Sequence, residues 1–494
     1  MKRENVVLWV AAFLLVGVWI GAKFSGQPST STQVDSKLVQ FFSYLESEYV
    51  DSLDIDALAE QAMDYILSDL DPHSTYITAD DGAQMSERMN GGFTGIGVEF
   101  AIKKDTLVFV HVMTDGPAEE YGIRSGDRVF AIDGDTIVGP SLTNAKVTSL
   151  IKGPIGSFVD LSIRRANKQV TASVKRGQIP IQSVFDMGVK NGIGYVRVER
   201  FAETTHDEFV SRLKALEKDS MRALVIDLRD NPGGYLHEAV AMADEFLTEG
   251  QNIVTTRYRN GEEHTSKAYS GERYEDLPVH ILINENSASA SEVFTGALQD
   301  HDRAVVYGKT SYGKGLVQED KYLGDGSKVR LTVAYYYTPS GRSIQKPYKE
   351  GEPANEGVFL SDSGRVLATA GGIEPDVELA NDSTSYFWTF SYGTLDAFAF
   401  DYVDSHRDHF DTLSVDQGYS SLVPDRGQLE SFLEYGGYGI AMEDLSKEDE
   451  EALSQLLQAA IARNYFGYDA YKDVLLEYDP VLLALFDQAR SMLQ

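Results

Sequence analysis

The stretch from Pro278 to Gly296 joins a buried-strand pattern directly to a helix pattern, and this junction constrains the fold of the chain more than any other segment. It reads PVHILINENSASASEVFTG. The apolar run Val279–Ile283 predicts a buried strand, and the good helix formers from Ala290 to His301 predict a helix. A strand that leads at once into a helix is typical of α/β folds. Ser289 lies at the turn between them, where a hydroxyl is exposed and helix amides point at nearby negative charge.

Two interpretations of Ser289 follow from its neighbours. Ser289 and Glu292 fit a capping box, in which the serine caps the helix and the glutamate bonds back to it, and the local pattern alone favours this interpretation. The alternative is a nucleophile, which needs a base to take its proton. The segment Gly308–Gln318, GKTSYGKGLVQ, offers Lys314 for that task, since a desolvated lysine can act as a base.

Several motifs resemble those of the carboxyl-terminal processing proteases, a family of serine–lysine peptidases. The motifs are SASASE around Ser289, GKG followed by LVQ around Lys314, LRDNPGG at Leu228–Gly234, LDPHSTY at Leu70–Tyr76, AYYYTPSGRSIQ at Ala334–Gln345 and GGIEPD at Gly371–Asp376. The resemblance extends from about Val34 to Asp376. It implies an α/β fold, namely a spiral protease core of the crotonase and Clp type that carries an inserted PDZ domain.

The resemblance also implies roles for three side chains. Ser289 matches the family nucleophile, and Lys314, 25 residues later, matches its general base. Gln318 matches the residue that orients the lysine amine. The chemistry requires that the lysine be neutral at the working pH, which burial among apolar groups favours.

An acyl-transfer site also needs backbone amides that stabilise a tetrahedral oxyanion. The amide of Ala290, just inside the helix, is one candidate. The other belongs to the glycine pair after the strand pattern Ala223–Leu228, because glycine lets the backbone approach a ligand closely. The resemblance favours Gly233 there, and Gly234 stays open as a one-residue shift. Taken alone, a Pro-Gly-Gly sequence is more often an ordinary loop.

From Gly91 to about Lys175 the chain changes to short strands and glycine turns, in an order that resembles a PDZ domain. The segment Gly116–Gly134, GPAEEYGIRSGDRVFAIDG, carries most of this resemblance. A PDZ domain takes a peptide C-terminus as an added strand and holds its carboxylate with loop amides. Alone, a GxG loop is more often a plain turn. The matching loop here consists of Gly95, Ile96, Gly97 and Val98.

Composition excludes several classes of function. The 44 basic and 76 acidic residues give a net charge of −32, which argues against nucleic acid as a partner. The chain has no cysteine, so disulfides, thiolate metal sites and cysteine catalysis are ruled out. We expect no cofactor and no metal.

The N-terminal residues predict the cellular location of the protein. Met1–Asn5 is a short basic leader, and Val6–Ala22 is an apolar run of 17 residues, a length at the lower limit for a membrane span. The run ends without a small-residue cleavage site, which favours a retained anchor over a cleaved signal. The positive-inside preference leaves the leader in the cytoplasm. We therefore expect a single-pass inner-membrane protein with its body in the periplasm, and export after signal cleavage is the alternative.

The domain organisation expected from these patterns has seven parts. The parts are a leader at 1–5, an anchor at 6–22, a linker at 23–33, N-terminal helices at 34–90, a PDZ domain at 91–176, a protease core at 177–380 and a C-terminal helical accessory region at 381–494. The accessory region is acidic and helical in pattern, as in Lys447–Arg463 and Tyr468–Leu493. The sequence leaves open whether it docks on the core or mediates self-association.

Other enzyme classes find less support. A histidine-based serine hydrolase could use His301 or His237, but the chain has no GxSxG elbow. A zinc enzyme could use His406 and His409, but these lack an HExxH setting, and exposed helical histidines are the better interpretation.

The favoured hypothesis is a serine endopeptidase that recognises the C-terminal segments of exported proteins through its PDZ domain and cleaves them through an acyl-enzyme. The non-enzymatic alternative is an inactive PDZ scaffold of the cell envelope. Retention of Ser289, Lys314 and Gln318 together argues against that alternative.

Overall fold

The computed structural model describes residues 32–165, 168–269, 274–348, 357–368, 371–379, 392–410, 412–413 and 419–492. The chain divides into two compact units, Met1–Tyr76 and Ile77–Gln494. The first unit contains the helices α1 (Thr32–Glu48) and α2 (Ile55–Leu70) and leads into the short strand β1 (Thr75–Ile77). The Asp54 side chain caps α2 by accepting from the Ala57 amide over 3.1 Å. The amphipathic pattern of the sequence predicts these helices at Asp35–Tyr49 and Asp54–Leu70, and each observed end lies within three residues of the predicted one.

The predicted membrane anchor, Val6–Ala22, lies outside the described residues. Within the described part of the chain, no helix combines the length and the apolar character needed to cross a bilayer. The expected single-pass inner-membrane location is corrected to this extent: the described residues do not support a membrane anchor.

The second unit begins with a small β domain at the place predicted for the PDZ insertion. Its sheet has the order β3-β4-β5-β7-β8, with β6 paired to β5. The strands β2 and β9 pair antiparallel and bring the two chain ends of the domain together. The elements are α3 (Ala79–Met89), β2 (Gly92–Gly95), β3 (Val98–Lys103), β4 (Thr106–Val112), α4 (Pro117–Glu120), β5 (Arg128–Ile132), β6 (Asp135–Thr136), α5 (Asn144–Ile151), β7 (Phe158–Arg165), β8 (Lys168–Lys175) and β9 (Gly177–Pro180).

The protease core is built on a six-stranded sheet with the order β10-β11-β12-β15-β16-β21, in which every neighbouring pair from β11 onward is parallel. Buried side chains of this sheet and of the helices packed on it form the largest core of the described chain. The elements are β10 (Val184–Lys190), β11 (Ile193–Val198), α6 (Thr205–Lys218), β12 (Ala223–Asp227), α7 (Leu236–Asp244), β15 (Val279–Ile283), α8 (Ala290–Asp300), β16 (Ala304–Gly308) and β21 (Val377–Glu378).

A second sheet contains the strand that follows Lys314. β18 pairs antiparallel with both β13 and β17, and β14 pairs with β13. The strands are β13 (Asn252–Tyr258), β14 (Glu263–Lys267), β17 (Leu316–Tyr322) and β18 (Lys328–Tyr337), and a separate hairpin contains β19 (Phe359–Leu360) and β20 (Val366–Leu367).

The C-terminal accessory region is helical, as predicted, and has its own apolar core. Its helices are α9 (Tyr392–Ser405), α10 (Arg407–Phe410), α11 (Arg426–Gly436), α12 (Lys447–Phe466), α13 (Tyr468–Glu477) and α14 (Pro480–Met492).

The single helix predicted from Tyr468 to Leu493 is wrong, because the helix breaks between α13 and α14. Pro480 begins α14, a position where its missing amide proton is not needed. The residue before a proline is biased away from helical backbone. The Asp479 side chain caps the new helix by accepting from the amides of Val481 (2.9 Å) and Leu482 (3.0 Å).

The accessory region docks on the rest of the second unit. Asp396 and Asp404 of α9 pair with Lys103 (3.0 Å) and Arg128 (2.6 Å) of the β domain. Phe400, between them, covers Val108 and Val110 of β4. At its other end, α14 buries Leu482 and Leu485 against β11, β12 and β15 of the protease core. Of the two roles left open by the sequence, docking is the one that the structure displays.

Candidate active site

Ser289 occupies a strained turn at the start of α8. Its φ of 57° and ψ of −113° lie outside the usual regions for a non-glycine residue. Such backbone strain persists only where the surroundings enforce it, and it concentrates at functional sites. The Ser289 amide donates to Oε2 of Glu292 (2.8 Å), and the Glu292 amide donates to the Ser289 carbonyl oxygen (2.9 Å). The glutamate half of the predicted capping box is thus present.

Glu292 has a second function that the sequence analysis missed. Its carboxylate is buried and accepts four hydrogen bonds, from the amides of Ser289 (2.8 Å), Lys314 (2.8 Å) and Gly313 (2.7 Å) and from the Ser311 hydroxyl (2.6 Å). Burial raises the pKa of Glu292, and these four bonds oppose the rise. An ionised carboxylate can accept all four bonds, whereas a protonated carboxyl group would present a hydrogen to one of the four donors. The turn of the serine and the loop of the lysine are therefore fixed to one group.

Lys314 lies in the loop before β17, and Gln318 lies within that strand. The lysine Nζ donates to Oε1 of Gln318 over 2.7 Å, as the predicted orienting role requires. The pairing of β17 with β18 shifts register between Val317 and Gln318, an irregularity of the kind that re-aims side chains beside active sites.

Tyr336 of β18 joins the same cluster, although the sequence analysis gave it no role. Its hydroxyl donates to the carbonyl oxygen of Lys314 and is also a hydrogen-bond partner of the Ser289 side chain. Burial, and then the charge of Glu292, raise the pKa of Tyr336 well above its ordinary value. The phenol therefore stays protonated at neutral pH and fixes the lysine loop beside the serine.

The glycine pair after β12 lies against the serine turn. Gly233 has φ +98°, and a Cβ placed on it would lie 2.8 Å from Ser289 Cβ and 3.0 Å from the Ala290 amide nitrogen. Gly234 faces elsewhere, since its Cβ would meet the carbonyl oxygen of Phe201 at 2.1 Å. Of the two glycines, Gly233 is the one that approaches the serine.

The two candidate oxyanion donors differ in their present bonding. The Gly233 amide donates to the side-chain oxygen of Asn231 over 2.9 Å, so it must exchange that bond to serve an oxyanion. The Ala290 amide begins α8, where no preceding helical carbonyl can pair with it. It is therefore the donor already available.

Polar side chains connect the glycine turn to the serine turn. Asp230 accepts from the side-chain amides of Asn284 (2.9 Å) and Asn286 (2.8 Å). The Asn231 carbonyl oxygen accepts from the Ala288 amide and from the Ser291 hydroxyl, each over 3.0 Å. These bonds make the two turns one structural unit.

The histidine alternatives are placed elsewhere. His301 bonds to Asp362 (2.8 Å) and to the Asn252 carbonyl oxygen (2.8 Å) at the far end of α8. His237 is more than half exposed and pairs with Glu203. No group of three histidine or acidic side chains suited to a metal occurs among the described residues, and so none was found around His406 and His409. Neither a histidine base nor a zinc site is supported.

The predicted peptide loop, Gly95–Val98, precedes an open sheet edge. Among the described strands, β3 has a strand partner on one edge only, and a peptide strand can add to an edge of this kind. The Ile96 side chain is 1% exposed and belongs to the core of the domain. Ile96 therefore contributes its backbone to this loop, whereas its side chain stabilises the fold.

Comparisons with known proteins identify the family of the chain. Residues 192–352 match the Peptidase family S41, residues 94–175 match the PDZ domain, and residues 386–467 match a family of unknown function. A probable CtpA-like serine protease of Staphylococcus haemolyticus is 34% identical over 83% of this chain and 84% of its own length. The carboxy-terminal processing protease CtpA of Bacillus subtilis is 33% identical over 68% and 72%. Among solved structures, the photosystem II D1 C-terminal processing protease is 27% identical and covers 69% of this chain and 86% of its own, with a TM-score of 0.38.

Proposed function

This chain belongs to peptidase family S41 and is a carboxy-terminal processing protease of the serine type, and from that premise we propose that Ser289, Lys314 and Gln318 carry its reaction. The observation that supports these residues is the shared carboxylate of Glu292, which binds the amides of both Ser289 and Lys314. A nucleophile and a base must be held at a fixed separation to react together.

In the proposed mechanism, the Ser289 hydroxyl attacks the scissile carbonyl while neutral Lys314 accepts its proton. Gln318 accepts a hydrogen bond from the lysine Nζ and so directs the nitrogen lone pair toward the serine. The amides of Ala290 and Gly233 stabilise the oxyanion. The lysine then returns the proton to the leaving amine, which produces an acyl-enzyme on Ser289. Water activated by the same lysine completes hydrolysis.

The PDZ domain provides the substrate specificity in this proposal. The C-terminal segment of a protein substrate adds to the open edge of β3, and the loop of Gly95, Ile96, Gly97 and Val98 holds its terminal carboxylate with backbone amides. The support is the open edge beside that loop and the match of residues 94–175 to the PDZ domain.

A fluorophosphonate probe tests the nucleophile. We expect covalent labelling of the wild type at Ser289, no labelling and no peptide cleavage in Ser289→Ala, and retained labelling in Ser431→Ala. Ser431 is the control because it is an exposed serine of α11 whose hydroxyl donates to the Gly427 carbonyl oxygen, outside the cluster around Ser289. Fragment mass spectra of the labelled peptide locate the adduct. Cleavage by Ser289→Ala at the wild-type rate would rule out the assigned nucleophile.

A further inference from the structure

Arg229 lies four residues before Gly233, at the end of the strand that carries the glycine turn. Its Nε and Nη2 bind the carboxylate of Asp227 over 3.0 and 2.6 Å. Asp227 is fully buried and also accepts from the Tyr195 hydroxyl (2.9 Å). On this side the arginine is bound to the central sheet.

On its other side, Arg229 is bound to the C-terminal accessory region. Nη2 lies 2.7 Å from Oδ2 of Asp479, and the two side chains are only 14% and 17% exposed. The other oxygen of Asp479 caps α14 through the amides of Val481 and Leu482. One carboxylate therefore connects the last helix of the described chain to the arginine beside the glycine turn.

The charges favour this arrangement. Burial alone lowers the pKa of Arg229, but the charges and hydrogen bonds of Asp227 and Asp479 outweigh burial and raise it. Asp227 has a second cationic neighbour, Arg197, at 3.6 Å. Without the Asp479 carboxylate, Arg229 would pair only with Asp227, which also pairs with Arg197. Its guanidinium would then lose its contact with the start of α14.

We propose that Asp479 is a positioning residue for the reaction, which acts through Arg229 to hold the turn from Asp230 to Gly234 at its catalytic distance from Ser289. The inference rests on the proposed function, in which Gly233 serves the oxyanion. Oxyanion donors act only when they are held in place before the reaction, and small displacements of a reacting constellation lower rates strongly. The accessory region then contributes to catalysis by positioning the glycine turn, although its helices supply no reacting atom.

The test compares Asp479→Asn with Asp487→Asn. The asparagine oxygen can still cap α14, so this change removes the ion pair with Arg229 and spares the helix start. Asp487 lies on the same helix and is exposed, which makes it the matched control for loss of one negative charge. We expect kcat to fall roughly tenfold in Asp479→Asn, with KM unchanged. We expect Asp487→Asn to equal the wild type and Asp479→Glu, which keeps the charge, to recover part of kcat.

Two further measurements separate positioning from stability. Dividing the rate by the number of serines titrated with a fluorophosphonate gives kcat per folded active site, even if a variant is partly unfolded. A peptide aldehyde forms a tetrahedral adduct whose oxygen occupies the oxyanion site. We expect Asp479→Asn to weaken the aldehyde about tenfold and to leave the binding of an uncleaved peptide to the Ser289→Ala background unchanged.

Equal kcat per titrated site in Asp479→Asn and Asp487→Asn would overturn the inference, and so would a change confined to KM. Ser289→Ala tests the assigned nucleophile separately, in a chain with Asp479 intact, so failure of that assignment and failure of the positioning role give different results.

Discussion

The backbone amides of Ser289 and Lys314, 25 residues apart in the chain, donate to the same oxygen of Glu292, each over 2.8 Å. The two residues come from different elements, since one begins α8 and the other precedes β17. Because one buried acceptor fixes both backbones, their separation does not depend on the side chains that react. The site is thus rigid before substrate arrives, as acyl transfer requires.

The assigned base is tested by Lys314→Arg. Arginine keeps the positive charge but cannot give up its proton, so we expect kcat to fall by roughly 10³-fold. Gln318→Ala should lower kcat about tenfold, since it removes the orientation of the base rather than the base. Lys309→Arg is the matched control because Lys309 is a nearby lysine that pairs with Glu285 rather than with Gln318. Rapid cleavage by Lys314→Arg contradicts the serine–lysine assignment.

Glu292→Gln tests the contribution of the Glu292 carboxylate, which accepts four hydrogen bonds. The glutamine amide group would face two of the four donors, and a buried donor without an acceptor costs about 1–3 kcal/mol. We therefore expect a loss of roughly 2–6 kcal/mol in the free energy of unfolding, together with slower labelling of Ser289. Removing a buried charge acts in the opposite direction, so unchanged stability would mean that the cost of burying the charge equals the loss of the bonds, which contradicts the prediction. Urea unfolding, with the exposed Glu249→Gln as control, measures the difference.

Close approach of the glycine turn is tested by Gly233→Ala. The added Cβ would lie 2.8 Å from both the Ala288 carbonyl oxygen and Ser289 Cβ, so the two turns must separate. We expect kcat/KM to fall about 10²-fold. Gly261→Ala has the same kind of positive φ, +82°, with open space around the Cβ position, and it controls for backbone strain alone. Equal activity in the two variants would show that the contact with Ser289 does not matter.

Carboxylate recognition by the PDZ loop is tested by amidating a substrate. A carboxylate bound by backbone amides forms charge-assisted hydrogen bonds, which a neutral amide does not. Peptides with a free C-terminus should therefore bind Ser289→Ala at least about tenfold more tightly than their amidated forms. Fluorescence anisotropy measures both affinities. A charge at Ile96 is unsuitable as a test because that side chain is buried in the domain core, and equal affinity for the two peptide forms would remove the loop from substrate selection.

Stability should depend on pH through His280 of β15. This side chain is 3% exposed, and burial lowers its pKa. Between its folded pKa and about 6.5, the unfolded chain binds one more proton than the folded chain, so stability falls as the pH falls. His206 acts in the opposite direction, because its hydrogen bond to Glu245 raises its pKa.

The difference between the wild type and His280→Leu isolates this contribution. Urea unfolding at several pH values should show a shallower acid-side slope in the variant, by up to about 1.4 kcal/mol per pH unit. His264→Leu removes a mostly exposed histidine and should leave the slope unchanged. A slope that is equal in the wild type and His280→Leu contradicts the prediction.

The elements that were predicted best carry strong local signals. β15 has the predicted bounds, Val279–Ile283. The sequence patterns likewise predict a helix at Thr205–Lys218 and a strand at Lys328–Tyr337, which are the observed bounds of α6 and β18. A continuous apolar run, a 3.6-residue apolar period and a series of β-branched and aromatic residues each indicate their structure without reference to the rest of the chain. The break before Pro480 carried an equally local signal, an Asp-Pro pair at a helix start, which the sequence analysis overlooked.

The supporting parts of the site could not be predicted in this way. Tyr336 meets the lysine loop only because β17 and β18 pair, and Asp479 meets Arg229 across 250 residues of chain. Contacts of this kind depend on the tertiary arrangement of several elements, which the spacing of residues along one segment does not encode.

The docking of α9 on the β domain has a consequence for synthesis. Lys103 and Asp396 are 293 residues apart, so the ribosome releases β4 long before Phe400 exists to cover Val108 and Val110. At 5–20 residues per second, a typical rate of translation, this interval lasts on the order of 15–60 seconds. During that time the nascent protein presents an apolar strand face to the cell, and chaperones that bind such faces should associate with partial chains that end before residue 400.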